Sequence, residues 1–254
     1  MRTRVLFIIL AIVLVSYNSC SVTDDDPGST EIKFLLTDSP GEYQEVNIDI
    51  FAVHVIINDS VIELETNQGI YNILEFVNGR DTLLVEDEIP SGYLSQIRLI
   101  LAEINTVMID SVRYGLKTPS AQQSGLKLNV HQEFLPGIEY EFVIDFEADK
   151  SIVKTGKGKY ILKPVIRVFS EATSGSIEGT IQPANARPLI MAINETDTSS
   201  TYADTASGGF MIRGLTEGLY SLEIHPVEAF NDSILTGIEV LAGQITLIDT
   251  IHLQ

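Results

Sequence analysis

The sequence contains no tryptophan, and Cys20 is the only cysteine in its 254 residues. A single cysteine excludes an intramolecular disulfide framework. Without tryptophan, the chain lacks the largest aromatic side chain, which weakens the case for a broad sugar-stacking platform. Its four histidines show no His-Glu-x-x-His pattern and have no cysteine partner, so no zinc site is predicted.

Basic residues are also scarce. The chain has 16 Lys and Arg against 35 Asp and Glu, a formal net charge of −19 at pH 7. A surface this acidic repels nucleic acid and anionic lipid headgroups, and no basic stripe interrupts it. We therefore predict no nucleic-acid partner, and no motif indicates a cofactor. After residue 19, no apolar run is long enough to span a bilayer as a helix.

The N-terminus has the pattern of an export signal. Arg2 and Arg4 precede an unbroken apolar run from Val5 to Val15. This run is too short to cross a bilayer, and residues 1–19 are predicted to be a signal peptide. Cys20, directly after a small residue, resembles the cysteine of a bacterial lipobox, which implies cleavage before Cys20 and lipidation of its thiol. The alternative is an ordinary signal peptide with an incidental cysteine.

Residues 20–30 are polar and acidic and are predicted to form a tether behind the lipidated cysteine. The run Asp24-Asp25-Asp26 resembles the signal that sends bacterial lipoproteins to the outer face of the outer membrane. The implied partner is the outer membrane, reached through the lipid anchor, and the implied location is the cell surface. Attachment on the periplasmic face is the alternative, and so is a plain solvated linker.

The rest of the chain is predicted to be all-β, with two β-sandwich-like domains in tandem. The polar stretch Ser170–Gly175 separates a first domain, residues 31–171, from a second, residues 172–254. Short β-branched runs, separated by Gly, Pro, Asn and Ser, mark the strands. The clearest are Glu31–Thr37, Glu45–Ile57, Ser95–Ile104, Ile138–Phe146 and Tyr160–Phe169.

The first domain carries a family resemblance in motifs spread along its length. They include Leu36-Thr37-Asp38-Ser39-Pro40, Tyr71-Asn72-Ile73-Leu74, Pro90-Ser91-Gly92-Tyr93, Ile144-Asp145-Phe146 and Lys163-Pro164. With these motifs, residues 31–169 resemble the family called domain of unknown function 4382. The resemblance implies a β-rich extracytoplasmic domain and no established activity.

The second domain has a different signature. It contains Gly175-x-Ile177-x-Gly179-x-Ile181, then Gly208-Gly209-Phe210-x-Ile212, then Gly218-x-Tyr220-x-Leu222. This pattern resembles the carboxypeptidase-regulatory-like, transthyretin-like modules, which implies a small non-catalytic sandwich with Phe210, Ile212 and Tyr220 in its core. Grouping with carbohydrate-binding folds is a weak reason to expect sugar binding.

The stretch SIVKTGKGKYILKP, residues 151–164, has three interpretations. Ser151-x-x-Lys154 has the spacing of a penicillin-recognising nucleophile and its lysine, but that motif needs a helix, which Gly156 and Gly158 disfavour. A phosphate cradle needs a helix after the glycines, whereas a strand pattern follows. We therefore predict the turn of a β-hairpin, with both glycines at positive φ.

The strand before this turn is acidic on one face. Asp145 and Asp149 project from the face that also carries Glu139, Glu141 and Glu147. With Asp38 nearby, these carboxylates are candidates for a hard cation such as calcium. The favoured alternative is a solvated face, partly neutralised by the lysines of the turn: Lys154, Lys157 and Lys159.

No nucleophile and base can be paired, so no catalytic residue is predicted. His54 shares parity with the apolar residues Val46, Ile48 and Ile50, which predicts a core histidine. The predicted function is a non-enzymatic binding or interaction module with a glycan or surface-protein partner. The alternative is a structural spacer subunit that makes contacts through exposed strand edges. An unrecognised hydrolase is the least favoured class.

Overall fold

The computed structural model describes residues 28–38, 41, 43–118, 125–227 and 229–254. The predicted signal peptide, Cys20, most of the tether, and Ser39 and Pro40 lie outside these residues. Within them the chain is almost entirely β-strand, which confirms the predicted all-β class. None of the helices in the described ranges has the length and apolarity to cross a membrane.

The described residues form 21 strands, numbered in chain order. Those of the N-terminal half are β1 Ser29–Thr37, β2 Glu45–Ile57, β3 Ser60–Glu63, β4 Gly69–Asn72, β5 Thr82–Pro90, β6 Gly92–Leu101, β7 Thr106–Ile109, β8 Val112–Lys117, β9 Leu126–Phe134, β10 Glu139–Phe146, β11 Ile152–Thr155, β12 Lys159–Leu162 and β13 Ile166–Phe169. Those of the C-terminal half are β14 Gly175–Gln182, β15 Leu189–Ile193, β16 Thr198–Tyr202, β17 Gly209–Leu215, β18 Gly218–His225, β19 Ser233–Val240, β20 Ile245–Leu247 and β21 Ile251–His252. A four-residue helix, α1, covers Ala148–Ser151, and single 3-10 turns cover Ile73–Glu75, Gly156–Gly158 and Ala184–Ala186.

Two sheets enclose the core of the N-terminal half. Sheet 1 has the strand order β13-β10-β1-β5, in which β1 and β10 are parallel. Sheet 2 has the order β11-β12-β8-β7-β2-β6-β9, with β3 and β4 also paired to β2. Apolar residues at alternate positions point inward, including Ile32, Phe34 and Leu36 of β1, so each sheet buries one face against the other.

A β-bulge in β2 corrects the prediction for His54. Inward positions run through Val46, Ile48 and Ile50, but the pairing with β6 shifts between Ile50 and Ala52. A bulge adds one residue and switches the face that the following side chains occupy. Val53 and Val55 therefore become the buried positions, and His54 is a partly exposed residue whose Nε2 lies 3.7 Å from a carboxylate oxygen of Glu63.

The predicted strand Tyr160–Phe169 is two strands in two different sheets. β12 belongs to sheet 2 and β13 to sheet 1, and Lys163–Val165 connects them. Pro164 has no N–H to donate to a ladder, which is consistent with the break at this point. The predicted hairpin is confirmed, because β11 and β12 are antiparallel neighbours with Ile152 opposite Leu162.

The C-terminal half forms two smaller sheets around its own core. Sheet 3 contains β14, β17, β20 and β21, and sheet 4 has the order β16-β15-β18-β19. Phe210, Ile212 and Tyr220 are buried in this core, as the sequence pattern predicts. Tyr220 also keeps its hydroxyl satisfied, since it donates to the backbone oxygen of Thr216 at 3.0 Å.

Candidate functional site

Charged side chains from both halves meet at one buried place, which we call the junction cluster: Asp38, Asp145, Glu147, Arg167 and Arg213. Asp145 and Arg167 face each other directly on β10 and β13. The Arg167 Nη2 atom lies 2.5 Å from Asp145 Oδ2, and its Nε lies 3.0 Å from Glu147 Oε1. Arg167 thus joins the two carboxylates at the end of the acidic strand.

Arg167 also reaches the C-terminal half. Its Nη1 donates to Ser199 Oγ of β16 at 2.6 Å, and its Nη2 donates to the backbone oxygen of Arg213 at 3.4 Å. Burial lowers the pKa of Arg167, but the charge and hydrogen bond of Asp145 outweigh it, so the net shift is upward. The guanidinium is therefore a permanent positive charge between buried carboxylates.

Arg213, on β17 of the C-terminal half, makes a second connection, to two carboxylates of the N-terminal half. Its Nη1 lies 3.0 Å from Asp81 Oδ2, and its Nη2 lies 2.6 Å from Glu171 Oε1. The side chain is only 9% exposed. Nearby, the backbone N–H of Met211 donates to Asn78 Oδ1 at 3.3 Å. The loop around residue 78 is thereby bound to β17.

The junction cluster accounts for two of the three carboxylates predicted to bind a cation. Asp38 Oδ1 accepts a hydrogen bond from the N–H of Ala148 at 2.9 Å, at the start of α1. Asp145 binds Arg167, so the positive charge beside this carboxylate is a guanidinium group, where the sequence made Asp145 a candidate calcium ligand. Asp149 lies against Gly41 instead. Within the described ranges, no group of three or more His, Cys, Asp or Glu side chains is placed to hold a metal ion.

The favoured alternative, a solvated acidic face neutralised by the turn lysines, holds for Glu139 and Glu141 in that both are exposed, but not for Asp145 and Glu147. Asp145 and Glu147 are 3% and 5% exposed, so they are buried. Their positive partners are Arg167 and, for Glu147, Lys150 at 2.5 Å. Lys154 instead lies over the ring of Tyr160, with its Nζ 5.9 Å from the ring centroid.

Ser151 and Lys154 do not form a reactive pair. Ser151 is fully buried at 0% exposure, and its Oγ accepts a hydrogen bond from the N–H of Val165 at 2.8 Å. Lys154 is exposed on β11. Ser151 therefore fastens the hairpin to the segment that leads into β13. Of the two turn glycines predicted to have a positive φ, Gly158 has one, at 68°, whereas Gly156 does not.

The outer face of sheet 1 carries a second group of charges, which we call the acidic face: Glu31, Glu86, Glu88, Glu139 and Glu141 around Lys33. Register places Glu31 opposite both Glu139 and Glu88, and Lys33 opposite Glu141 and Glu86. Lys33 Nζ lies 2.7 Å from Glu139 Oε1 and 3.2 Å from Glu86 Oε1. The hydrogen bond to Glu139, followed by that to Glu86, raises the pKa of Lys33 well above its usual value.

A groove adjoins the acidic face at the edge of sheet 1. It has a volume of about 660 Å³ and is lined by residues 138–142 on one side, residues 168–173 on the other, and Gln132 of β9. We call it the edge groove. Its floor is apolar, since Tyr140 stacks on Phe134 with ring centroids 4.3 Å apart and Phe142 is almost fully buried. Glu139, Glu141 and Glu171 line it as well.

Sequence reasoning missed Arg167 and Arg213. A signal was present, because each is a basic residue inside an apolar strand pattern, in Ile166-Arg167-Val168 and in Ile212-Arg213-Gly214. A charge at such a position requires a buried partner. The sequence does not show that the partners come from distant strands and from the other half.

The model of the family described as domain of unknown function, DUF4382, matches residues 29–164, more than half of the chain. The chain belongs to the DUF4382 family. The DUF4382 segment includes Asp38, Asp145 and Glu147 of the junction cluster. Arg167 and Arg213 lie beyond its last residue. The carboxylates of the cluster are therefore within the DUF4382 segment, and its two arginines are outside it.

Among solved structures, the chain is similar to the Bacillus anthracis TIE protein, with 11% identity and a TM-score of 0.26 over 89% of this chain and 34% of that one. A leucine-rich repeat protein from Bacteroides thetaiotaomicron has 11% identity and a TM-score of 0.20 over 89% and 26%. A streptococcal ancillary pilin has 10% identity and a TM-score of 0.20 over 91% and 64%. The chain spans about a third and a quarter of the first two proteins. No curated protein matches the chain.

Proposed function

We propose that the protein is a lipid-anchored, non-enzymatic interaction module of the bacterial cell envelope. The observation that carries the proposal is the junction cluster, in which Arg167 and Arg213 bind carboxylates and a hydroxyl across the two halves. These contacts hold the two sandwiches together and fix the position of the outer surface of one relative to that of the other. Such a body is suited to presenting surfaces to a partner.

Two features of the sequence supply the anchor. The apolar run before Ser19 and the lone Cys20 support cleavage and lipidation at that cysteine. Gly28, where the described structure begins, is eight positions after Cys20, with seven residues between them. An extended chain of that length reaches at most roughly 28 Å. The N-terminal half would therefore be held near the membrane, on the outer surface of the outer membrane in this proposal.

The C-terminal half is proposed to be a carboxypeptidase-regulatory-like module. The support is the agreement between the sequence pattern and the buried positions of Phe210, Ile212 and Tyr220. Arg213, which lies on β17 with Phe210 and Ile212, binds Asp81 of the N-terminal half. In this role the module is a structural partner that fixes the DUF4382 segment rather than a separate binding unit.

The anchor is tested by labelling cells that produce the protein with an alkyne analogue of palmitate. We expect label on the wild-type chain and none on a Cys20→Ala variant, which should be released from the membrane fraction. Label that persists in Cys20→Ala contradicts lipidation. Protease treatment of intact cells then distinguishes the outer surface, where the chain is cleaved, from the periplasmic face, where it is protected.

The interaction role is tested by mild cross-linking of intact cells. A neighbour recovered at a constant ratio to this chain, and lost with the released Cys20→Ala protein, is the expected result. Recovery of only monomeric chain at every cross-linker concentration contradicts the role.

A carbohydrate partner is the second candidate, favoured by one exposed aromatic pair. Tyr93 stacks on His131 with centroids 6.2 Å apart, and the Tyr93 hydroxyl lies 3.0 Å from His131 Nδ1. Tyr93 is 44% exposed, so it offers aromatic surface that a sugar could contact. A glycan array probed with wild-type protein and a Tyr93→Ala variant tests this candidate. Absence of binding across the array, or equal binding by both proteins, contradicts it.

A further inference from the structure

We propose that the edge groove binds an extended, basic segment of a partner protein, which adds to sheet 1 as a strand beside β10. This inference rests on the proposed interaction role and names the surface and the class of partner that the role requires. It is carried by the backbone of β10, the apolar floor of the groove and the charges at its rim.

The register between β10 and β13 determines which way the backbone groups of β10 point. β10 and β13 are antiparallel, with Val143 opposite Phe169 and Asp145 opposite Arg167. The N–H of Glu147 donates to the oxygen of Val165 at 3.0 Å, which continues this register by one hydrogen-bonded pair. In an antiparallel ladder, hydrogen-bonded pairs alternate, so Val143 and Asp145 also direct their N–H and C=O groups toward β13.

The same alternation directs the N–H and C=O of Glu139 and Glu141 toward this side of β10. Pairing between β10 and β1 continues through Glu139, but pairing with β13 stops at Val143. After Phe169 the chain turns away, since the N–H of Thr173 donates to the oxygen of Ser170 at 3.1 Å. Among the described residues, no strand pairs with this side of β10 at Glu139 and Glu141, so four of their backbone groups line an open edge, the kind of surface to which a strand adds.

The groove has room for the side chains of such a strand. Its volume of about 660 Å³ lies between the open edge of β10, the turn 170–173 and Gln132. Tyr140 and Phe142 point toward the inner side of the sheet, and Ile138 is 48% exposed at the entrance. An added strand would place alternate side chains on these apolar groups. Those positions of the partner should be apolar.

The other side chains of the added strand would lie on the acidic face. Residues directly opposite each other on a sheet face interact, and like charges there are destabilising. An added strand places two of its residues opposite Glu139 and Glu141. Glu139 shares Lys33 with Glu31 and Glu86, and Glu141 lies opposite Lys33 in the register of β1 and β10. Lysine or arginine at these positions complements the excess negative charge. The favoured sequence therefore alternates basic and apolar residues.

Charge also argues against two other occupants. The tether of this chain contains Asp24, Asp25 and Asp26, which have the same sign as the groove. A second copy of the chain brings a formal charge of −19 to an acidic surface. A basic partner segment is attracted to the acidic groove, whereas the tether and a second copy of the chain are repelled by it.

The test uses the full chain in detergent and the peptide Lys-Val-Lys-Val-Lys-Val-Lys as the probe. We expect saturable binding by fluorescence anisotropy and, by residue-resolved hydrogen exchange, slowing of the Glu139 and Glu141 amides by tenfold or more. The Val143 and Asp145 amides, already bonded to β13, should change little. Binding without slowing at residues 139 and 141 overturns the proposal, as does protection of these amides in the free protein.

Charge variants separate strand addition from general attraction. Glu141→Lys should weaken binding about fivefold and improve binding of Glu-Val-Glu-Val-Glu-Val-Glu, because it reverses one cross-strand pair. Glu103→Lys makes the same charge change on an exposed loop of the same half and should have little effect. Equal weakening by both variants overturns the proposal. If Glu141→Lys does not fold, Glu141→Gln provides the same comparison with a smaller expected effect.

The interaction role and the binding surface are tested by separate experiments, and either can be rejected without the other. A stoichiometric neighbour in cross-linked cells, together with no peptide binding at the edge, leaves the interaction role standing and rejects this surface. Dimerisation of the chain that protects the Glu139 and Glu141 amides rejects the basic partner in favour of a second copy. Failure of the cross-linking test with peptide binding intact rejects only the cellular role.

Discussion

Arg167 links three side chains, since it binds Asp145 and Glu147 of the N-terminal half and Ser199 of the C-terminal half. We predict that Arg167→Leu lowers the free energy of unfolding by about 3–5 kcal/mol, since it leaves two buried carboxylates without this partner. Urea denaturation measures the change.

Arg113→Leu is the matched control. Arg113 pairs with Glu45 at 2.6 Å, but both side chains are substantially exposed. Removing an exposed pair should cost less than about 1 kcal/mol. Similar losses in the two variants contradict the account of the junction cluster.

His225 should make the stability of the C-terminal half depend on pH. Its Nδ1 lies 3.0 Å from Asp232 and its Nε2 lies 3.4 Å from Glu223. The hydrogen bond to Asp232 raises its pKa above the usual 6.5, burial opposes this, and Glu223 adds to the rise. A raised folded-state pKa means that the stabilisation is complete below pH 6.5 and is lost as the pH rises through the folded-state value.

NMR titration of His225 checks this prediction. Asp232→Asn should lower the pKa of His225 more than Glu223→Gln does, because the bond to Asp232 is the larger cause. Glu217→Gln, a change at an exposed position of the same half, should leave the titration in place. A pKa of His225 at or below 6.5 in the wild-type protein contradicts the assignment.

At the scale of elements, the hairpin β11–β12 offers a comparison between two glycines. Gly158 has a φ of 68°, where a side chain is disfavoured, whereas Gly156 is outside that region and has no atom within 4 Å of an added Cβ. Gly158→Ala should therefore cost about 1 kcal/mol, and Gly156→Ala should be neutral or stabilise by up to about 1 kcal/mol. Thermal unfolding of the two variants checks the difference, and equal effects would show that the turn geometry is wrong.

Some strands were predictable from the sequence and others were not. The core positions of β17 and β18 followed from the resemblance to carboxypeptidase-regulatory-like modules. The hairpin and strand β2 followed from periodicity and turn residues, which are local properties. The bulge in β2 did not, because alternation by parity cannot reveal an extra residue before it is paired. The division of 160–169 between two sheets was missed for a similar reason, since the partners of β12 and β13 are distant strands.

The candidate site was predictable only in part. The acidic face of β10 is visible as alternation in the sequence, and Asp38 and Asp145 line the same small cavity. The positive charge that Asp145 meets depends on tertiary structure, because the pairing of β13 places Arg167 opposite it and the contact with β16 holds Arg167 there. The open edge at Glu139 and Glu141 depends likewise on where β13 ends.

For the whole molecule, the contacts across the two halves predict a single unfolding transition. The two halves have separate apolar cores, so their cooperation depends on the contacts between them. Arg213 binds Asp81 and Glu171, Met211 binds Asn78, and Gly214, at a φ of 70°, leaves room for the ring of Phe169. Scanning calorimetry of the wild-type chain should therefore show one transition.

Arg213→Met tests this coupling while it keeps most of the buried volume. Asp81 and Glu171 are partly exposed and can regain water, so the loss should be about 1–2 kcal/mol, smaller than for Arg167→Leu. We expect the calorimetric transition to broaden or to separate into two. One transition that shifts in temperature but stays equally sharp would show that the apolar contacts near Phe169 and Met211 couple the halves without Arg213. Two transitions already present in the wild-type chain would contradict the fixed relation of the halves on which the proposed presenting role depends.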